Sequence, residues 1–317
     1  MIHPDDRPLL EVSGLRKSFD LSKPFINRLI ERSERQFIKA VDGVDFTIQR
    51  GQTLSLVGES GCGKSTVAKL IMGLSRPSGG SIRFEGTELA DQPAGKPAQL
   101  RRRMQMIFQD PYASLNPRKR VADIVAEPLE IHRCGTRAEI AARVAALIAR
   151  VGLPPEAARR FPHEFSGGQR QRVCIARALA LNPSVIIADE PVSALDVSIQ
   201  AQILDLIEEI QNEFNVAILF ISHDMAVVEK VADRIAVMYQ GELIEIGPRD
   251  SVLRQPAHPY TRRLLDAVPI AHPEQRRERL IAAREIASPI RPAGAEPDPF
   301  VMDEIAPRHF LRRSLAG

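Results

Sequence analysis

Gly58-Glu59-Ser60-Gly61-Cys62-Gly63-Lys64-Ser65-Thr66 is the stretch whose reading decides the fold. Its pattern is G-x-x-x-x-G-K-S, closed by Thr66. Before it, Thr53-Leu54-Ser55-Leu56-Val57 is an apolar run that reads as a buried strand. After it, Thr66 to Met72 is compatible with a helix. Strand, glycine loop and helix together form a phosphate-binding context. Glycines let backbone N–H groups converge on an anion, and a helix N-terminus adds partial positive charge. Lys64 is placed to reach β- and γ-phosphates, and the Ser65 hydroxyl is a candidate Mg²⁺ ligand. The bland alternative is a Gly/Ser turn that happens to carry a lysine.

The rest of the composition is ordinary. The chain has 317 residues, 44% hydrophobic and 26% charged, as expected of a globular protein with a sizeable core. Forty-three basic against forty acidic side chains give +3, too balanced to mark a nucleic-acid binder by charge. There is no tryptophan. No apolar run reaches the roughly 18 residues that cross a bilayer. The N-terminal residues, with Pro4, Asp5 and Asp6, lack a signal-peptide layout, so a cytosolic location is expected. Cys62, Cys134 and Cys174 form no C-x-x-C pair and argue against a disulfide framework or zinc module.

Outward from the loop, Leu9–Phe19 reads as a strand and Asp20–Gln36 as an exposed insertion. Val41, Val44, Phe46 and Ile48 alternate as a second strand. Ile82 and Phe84 mark a third, which suggests a small, largely antiparallel sheet beside the nucleotide core. Residues 90–100 read as a surface loop, Arg101-Arg102-Arg103 as a solvated rim, and Met104–Phe108 as a strand. The texture then turns helical. Thr136-x-x-Glu139 is a capping box, and Ile140, Val144, Leu147, Ile148 and Val151 form one helical stripe ended by Gly152 and Pro154. A helix is expected over Arg170–Leu181. Val185–Glu190 and Ala217–Ile221 are continuous apolar runs, typical of strands buried on both faces of a parallel sheet. Helices over 198–213 and 225–232 and a hairpin around Gln240-Gly241 complete an α/β core with a mostly parallel sheet. Between Ala271 and Gly317 the proline- and arginine-rich chain reads as a loosely packed tail.

Phosphoryl transfer to water needs a cradle, a metal, a positioned water and charge stabilisation. Asp189, at the end of a buried strand, is the expected second metal anchor. Glu190 beside it is the candidate general base. His223, after the next strand, is a candidate donor to the γ-phosphate or the water. Gln109, at another strand end, is a candidate contact to Mg²⁺ or water. Ligands of open α/β sheets sit beyond the carboxyl ends of the strands, where these groups are expected.

These motifs resemble, in order, those of ATP-binding-cassette (ABC) transporter subunits: Gly58–Thr66 as Walker A, Gln109 as the Q-loop, Phe165-Ser166-Gly167-Gly168-Gln169 as the signature, Val185–Glu190 as Walker B, Ser193–Asp196 as the D-loop and His223 as the switch histidine. The resemblance covers about residues 9–250. It implies a P-loop (RecA-like) core with a small antiparallel β subdomain and a helical insert at about 112–175. It further implies ATP hydrolysis with Mg²⁺ held by Ser65, Gln109 and Asp189. It implies a head-to-tail dimer in which Ser166, Gly167, Gly168 and Gln169 meet nucleotide on the partner's Walker A. Phe19 corresponds to the aromatic that stacks on adenine.

A narrower resemblance is to oligopeptide/dipeptide and nickel import ATPases. It rests on Gln109-Asp110-Pro111-Tyr112-Ala113-Ser114-Leu115-Asn116-Pro117-Arg118, on Phe165, and on His258-Pro259-Tyr260-Thr261. Residues 251–317 would be the C-terminal extension of that type. Many members carry an iron–sulfur cysteine cluster there; this chain has no cysteine after Cys174, so no cluster is expected. The resemblance implies two transmembrane permease subunits, a second cassette (self or paralogue), an extracytoplasmic solute-binding protein acting indirectly, and a peripheral position on the cytoplasmic face of the inner membrane. Nucleic acid is not an expected partner. One rival reading, a soluble cassette ATPase acting on nucleic acid or ribosomes, would call for a long coiled coil, zinc-spaced cysteines or two cassettes in one chain. Another keeps the ATPase but gives it to a different ABC transporter with non-peptide cargo, against which Gln109–Arg118 and His258–Thr261 argue.

Overall fold

The computed structural model describes residues 7–20, 36–89, 100, 102–267, 290–292 and 300–315. Most of the expected insertion at 20–36, the loop at 90–99 and Arg101 lie outside the described residues. In chain order the strands are β1 (Leu10–Asp20), β2 (Gln36–Ile48), β3 (Thr53–Val57), β4 (Gly79–Phe84), β5 (Thr87–Glu88), β6 (Met104–Ile107), β7 (Val185–Asp189), β8 (Ala217–Ser222), β9 (Arg234–Tyr239), β10 (Glu242–Pro248), β11 (Ile290–Pro292), β12 (Phe300–Ala306) and β13 (His309–Ser314). The helices are α1 (Lys64–Ile71), α2 (Pro111–Ser114), α3 (Val121–Ile131), α4 (Arg137–Arg150), α5 (Gly167–Leu179), α6 (Val197–Phe214), α7 (Met225–Val231), α8 (Arg249–Arg254) and α9 (Pro259–Asp266). Among the described residues no helix is long and apolar enough to cross a membrane. The chain divides into two compact units, both discontinuous.

The first unit takes in Ile48–Leu54 and Phe84–Ser222. Its sheet is parallel: β7 lies between β6 and β8, with Met106 opposite Ile187 and Ile187 opposite Leu219. Every residue of β7 and β8 is buried, so their unbroken apolar character follows from having both faces covered. α6 supplies the crossover that two parallel strands need, burying Ile203, Leu206, Ile207 and Ile210. The helical insert packs as its stripe predicts: Ile140, Val144, Leu147 and Ile148 of α4 are buried. Thr136 and Glu139 form the expected capping box, the glutamate accepting from Thr136 N at 2.6 Å.

Arg103 departs from the expected solvated rim. Its guanidinium pairs with Glu85 (Nη2 to Oε1, 2.6 Å) and donates to Ser184 Oγ at 3.0 Å, while Arg50 approaches the same carboxylate. It fastens the start of β6 to the loop before β7; a basic residue beside a fixed carboxylate is a tether, whatever the run around it.

The second unit takes in Leu10–Thr47, Ser55–Arg83 and everything after Ser222. Here β11, β2, β1 and β4 are hydrogen-bonded in that order. A second group runs β12-β13-β10-β9, every neighbouring pair antiparallel. Its core joins the end of β3 (Val57) to Met225 and Val228 of α7, Ile235 and Val237 of β9, Val252 and Tyr260.

The expected loosely packed tail must be corrected for residues 290–292 and 300–315; the rest of the stretch from Ala271 to Gly317 lies outside the described residues. Residues 300–314 form a hairpin, with Phe300 opposite Ser314 and Asp303 opposite Leu311, and β13 adds to β10 with Ile246 opposite Phe310. Arg308 turns it in the left-handed region, φ 58°. His309, at the start of β13, is 2% exposed. β11 also pairs with β2, Ile290 opposite Ile38.

Candidate functional site

In the second unit the loop Gly58–Thr66 connects β3 to α1. Two glycines are required by close approach. A Cβ at Gly58 (φ 151°) would stand 2.1 Å from Met238 O, and one at Gly63 (φ 111°) 2.1 Å from Ala40 O. Either would drive the loop off the strands that back it. Gly241, in the β9–β10 turn, donates its N–H to Cys62 O at 2.9 Å and completes that backing. Gly63 is the N-cap of α1 and no side chain caps the helix. An N-terminus without a side-chain cap is the setting in which first-turn amides can take an anion.

Lys64 is 5% exposed and folds back over the loop. Its ammonium donates to Gly58 O at 2.7 Å and Glu59 O at 2.8 Å, and lies 3.8 Å from Cys62 Sγ. Burial pushes the Cys62 thiol up, with Lys64 working in the opposite direction. Ser65 and Thr66 open α1; Ser60 and Gly61 form the exposed tip. His223 is exposed, directly after β8, and Asp224 next to it caps α7 by accepting from Ala226 N at 2.9 Å. Phe19, at the end of β1, is 41% exposed, with Lys17 Nζ 5.1 Å from its ring centroid.

The first unit holds the acidic strand end. Asp189 closes β7 and is 5% exposed. Glu190 follows in the left-handed region, φ 48°, with its N–H on Ile221 O at 3.0 Å. That conformation is costly for a residue with a Cβ and turns the side chain out of the strand's alternation. Gln109, just past β6, donates its side-chain amide to Glu190 Oε2 at 2.9 Å. Parallel pairing of β6 with β7 brings these two strand ends together although 81 positions separate them.

Ser166 caps α5, so the helix starts at Gly167, three residues before the expected Arg170. Gln169 N donates to Ser166 Oγ at 3.4 Å and Ser166 N to Gln169 Oε1 at 3.1 Å, a full capping box. A Cβ at Gly168 would meet Ile199 Cγ2 at 2.4 Å, and one at Gly167 would meet Leu195 Cδ2 at 3.1 Å. Gly168 is thus needed for close packing on the start of α6, whereas at Gly167 the end of the Leu195 side chain would have to give by a few tenths of an ångström.

Sequence reasoning missed the residues that hold the segment 109–118 on α5. Arg170 lies 3.7 Å from the ring centroid of Tyr112 and donates to Pro162 O at 2.6 Å. Arg177 donates to Ser114 O at 2.5 Å, and Ser114 Oγ is 3.2 Å from Cys174 Sγ. Arginines at helical spacing were the only available signal, and their partners are 58 and 63 positions away.

This arrangement is that of an ATP-binding cassette. The model of the ABC transporter family matches residues 41–193, and that of the oligopeptide/dipeptide transporter C-terminal region matches residues 244–293. The chain belongs to the ABC transporter family, in its oligopeptide/dipeptide branch. It is 53% identical over 305 residues to the glutathione import ATP-binding protein GsiA of Pectobacterium atrosepticum, covering 96% of this chain and 48% of that protein. It is 50% identical over 308 residues to the protein of the same name from Escherichia coli strain K12, covering 97% and 49%. The chain therefore spans about half the length of the curated relatives it matches. Among solved structures, the cassette MJ0796, described as a dimer in a post-hydrolysis state bound to ADP and Pi, is 27% identical with TM-score 0.66, covering 76% of this chain and 98% of that one. CbiO1 of Clostridium perfringens, part of the transporter complex cbiONQ, is 28% identical with TM-score 0.66, covering 78% and 91%.

Proposed function

We propose that the chain is the ATP-hydrolysing, energy-coupling subunit of an importer of peptide-like solutes. The observation that carries this reading is the loop Gly58–Thr66: glycines pressed onto backbone where a Cβ cannot fit, an uncapped helix N-terminus, and a lysine folded over the cradle. Gly58, Glu59, Ser60, Gly61, Cys62, Gly63, Lys64, Ser65 and Thr66 bind the phosphates, and Phe19 stacks on the adenine. Glu190 polarises the attacking water, oriented by Gln109, with His223 as a further donor. The oxygen-rich set Ser65, Gln109 and Asp189 suits Mg²⁺, which when bound would neutralise charge on the β- and γ-phosphates.

Two copies, or this chain and a paralogue, would close head to tail, with Ser166–Gln169 contributing to the partner's nucleotide. Closure would drive two permease subunits at the cytoplasmic face of the inner membrane, with a solute-binding protein acting from outside. The glutathione-import relatives and the matched C-terminal region support a small peptide or peptide-like cargo. Residues 9–250 would be the cassette and 251–317 its extension, without an iron–sulfur cluster.

The test is a pull-down from detergent-solubilised membranes with the Glu190→Gln variant, ATP and Mg²⁺, followed by mass spectrometry. Two multi-spanning permeases and a second cassette are expected. Ribosomal proteins or nucleic acid without any membrane protein would overturn the transport reading.

A further inference from the structure

One residue of the phosphate loop is held from two directions. The Glu59 N–H donates to the Tyr260 hydroxyl at 2.9 Å, across 201 positions of sequence. The Glu59 carbonyl accepts from Lys64 Nζ at 2.8 Å. The peptide groups flanking one alpha carbon thus join the lysine of the cradle to a tyrosine of the C-terminal region.

Tyr260 is built to hold that position. It is 3% exposed, and its ring lies 4.4 Å (centroid to centroid) from that of Tyr239. Burial raises the energy of its ionised form, so the hydroxyl stays protonated and the loop amide meets a neutral phenol oxygen. A buried phenol needs a hydrogen-bond partner, and here that partner is the loop amide. The start of α9, which carries Tyr260, is itself fastened. Glu245 of β10, fully buried, accepts from Ala257 N at 2.8 Å, His258 N at 3.0 Å and Thr261 Oγ1 at 2.6 Å. The same carboxylate lies 2.7 Å from Nε2 of His309 in the C-terminal hairpin. Direct hydrogen bonds, joined by short covalent steps, therefore run from β13 through Glu245 and α9 to Glu59 and Lys64.

We propose that Tyr260 is a positioning residue of the phosphate loop: it sets the Glu59 peptide, and through it Lys64, so that the C-terminal extension bears on nucleotide binding. The proposal rests on reading the loop as an ATP site. A phosphate cradle acts through the directions of its amides and its ammonium, and small rotations of the loop weaken it. The hydroxyl is one neutral hydrogen bond, so its effect on affinity is of that size.

Tyr260→Phe removes the hydroxyl and keeps the ring against Tyr239. In the full-length chain without nucleotide, hydrogen exchange at the Glu59 amide should quicken by about five- to tenfold. ATP affinity should fall by about 3- to 10-fold, with KM raised and kcat within about twofold of wild type. A tyrosine that serves only to fill the core would leave both the amide and KM unmoved. Unchanged exchange and unchanged ATP affinity in Tyr260→Phe, alongside a wild type that binds ATP and a Lys64→Ala variant that does not, would overturn the proposal. A wild type that fails to bind ATP would instead overturn the ATP-site reading, and the exchange of the Glu59 amide would still decide whether the tie exists.

Discussion

Two glutamates occupy opposite positions in this molecule. Glu190 stands half-buried at the end of a parallel strand, in a strained backbone conformation, with Gln109 on one oxygen. Glu245 lies in the middle of an antiparallel strand, fully buried, with two backbone amides, a threonine hydroxyl and a histidine ring around it. The first is held by its backbone and left reachable by solvent; the second is saturated by donors from two separate segments, 257–261 and His309. A carboxylate that must engage a water needs the former arrangement. One that must hold distant segments together tolerates burial only in the latter, because an unmatched buried charge is expensive.

The largest expected effect lies at the first of them. Glu190→Gln keeps the shape and removes the proposed proton acceptor. It should slow ATP turnover by about 10²- to 10⁴-fold while ATP binding persists. Turnover near wild type would remove Glu190 as the base and erase the contrast. At the other carboxylate the effect should fall on stability. His309→Ala takes one donor from a fully buried carboxylate and leaves a void beside Gly247, whose Cβ position is 2.8 Å from the ring. A loss of about 2–4 kcal/mol in denaturant unfolding is expected. A loss under about 0.5 kcal/mol would mean that the hairpin contributes nothing to the fold.

A smaller effect sharpens the comparison from the catalytic side. Gln109→Ala removes the amide from Glu190, as His309→Ala removes the ring from Glu245, yet Gln109 is exposed. Stability should change by less than about 0.5 kcal/mol, while turnover falls by about tenfold, the scale of one orienting hydrogen bond at a reacting group. A stability loss matching that of His309→Ala would show that Gln109 is structural.

The elements legible in the sequence are those whose cause is local. The unbroken apolar runs of β7 and β8 declare strands buried on both faces, and Thr136 with Glu139 declares the start of α4 through a pattern four residues long. The loop Gly58–Thr66 is legible because its chemistry is packed into nine consecutive residues. What stayed hidden is long-range. β13 pairs with a strand about 64 positions upstream, and Tyr260 meets Glu59 across 201. Neither the residues of His309–Ser314 nor the tyrosine carries a local mark of its partner, and a proline-rich stretch before a hairpin reads as a tail. The signature shows a milder form of the same limit. Ser166 and Gln169 are a recognisable capping pair, but that Gly168 must stay small depends on Ile199, supplied by the next helix.

The smallest expected effect concerns a group between the two extremes. Cys62 belongs to the phosphate loop yet is 7% exposed, with its thiol pushed up by burial and only partly drawn back by Lys64. The thiolate is the reactive form, so a raised pKa means less of it at neutral pH. Alkylation by iodoacetamide at pH 7.5, a value about one unit below the ordinary thiol range, should therefore be about tenfold slower at Cys62 than at the half-buried Cys134. The rate at Cys62 should keep climbing as pH rises past about 8.5, where an ordinary thiol levels off. Mass-spectrometric peptide mapping over time distinguishes the two cysteines. Equal rates at pH 7.5 would mean that the loop opens often enough to expose its interior. The close packing of Gly58 and Gly63 against the strands behind them would then be a transient state, and the rigid cradle would lose its main support.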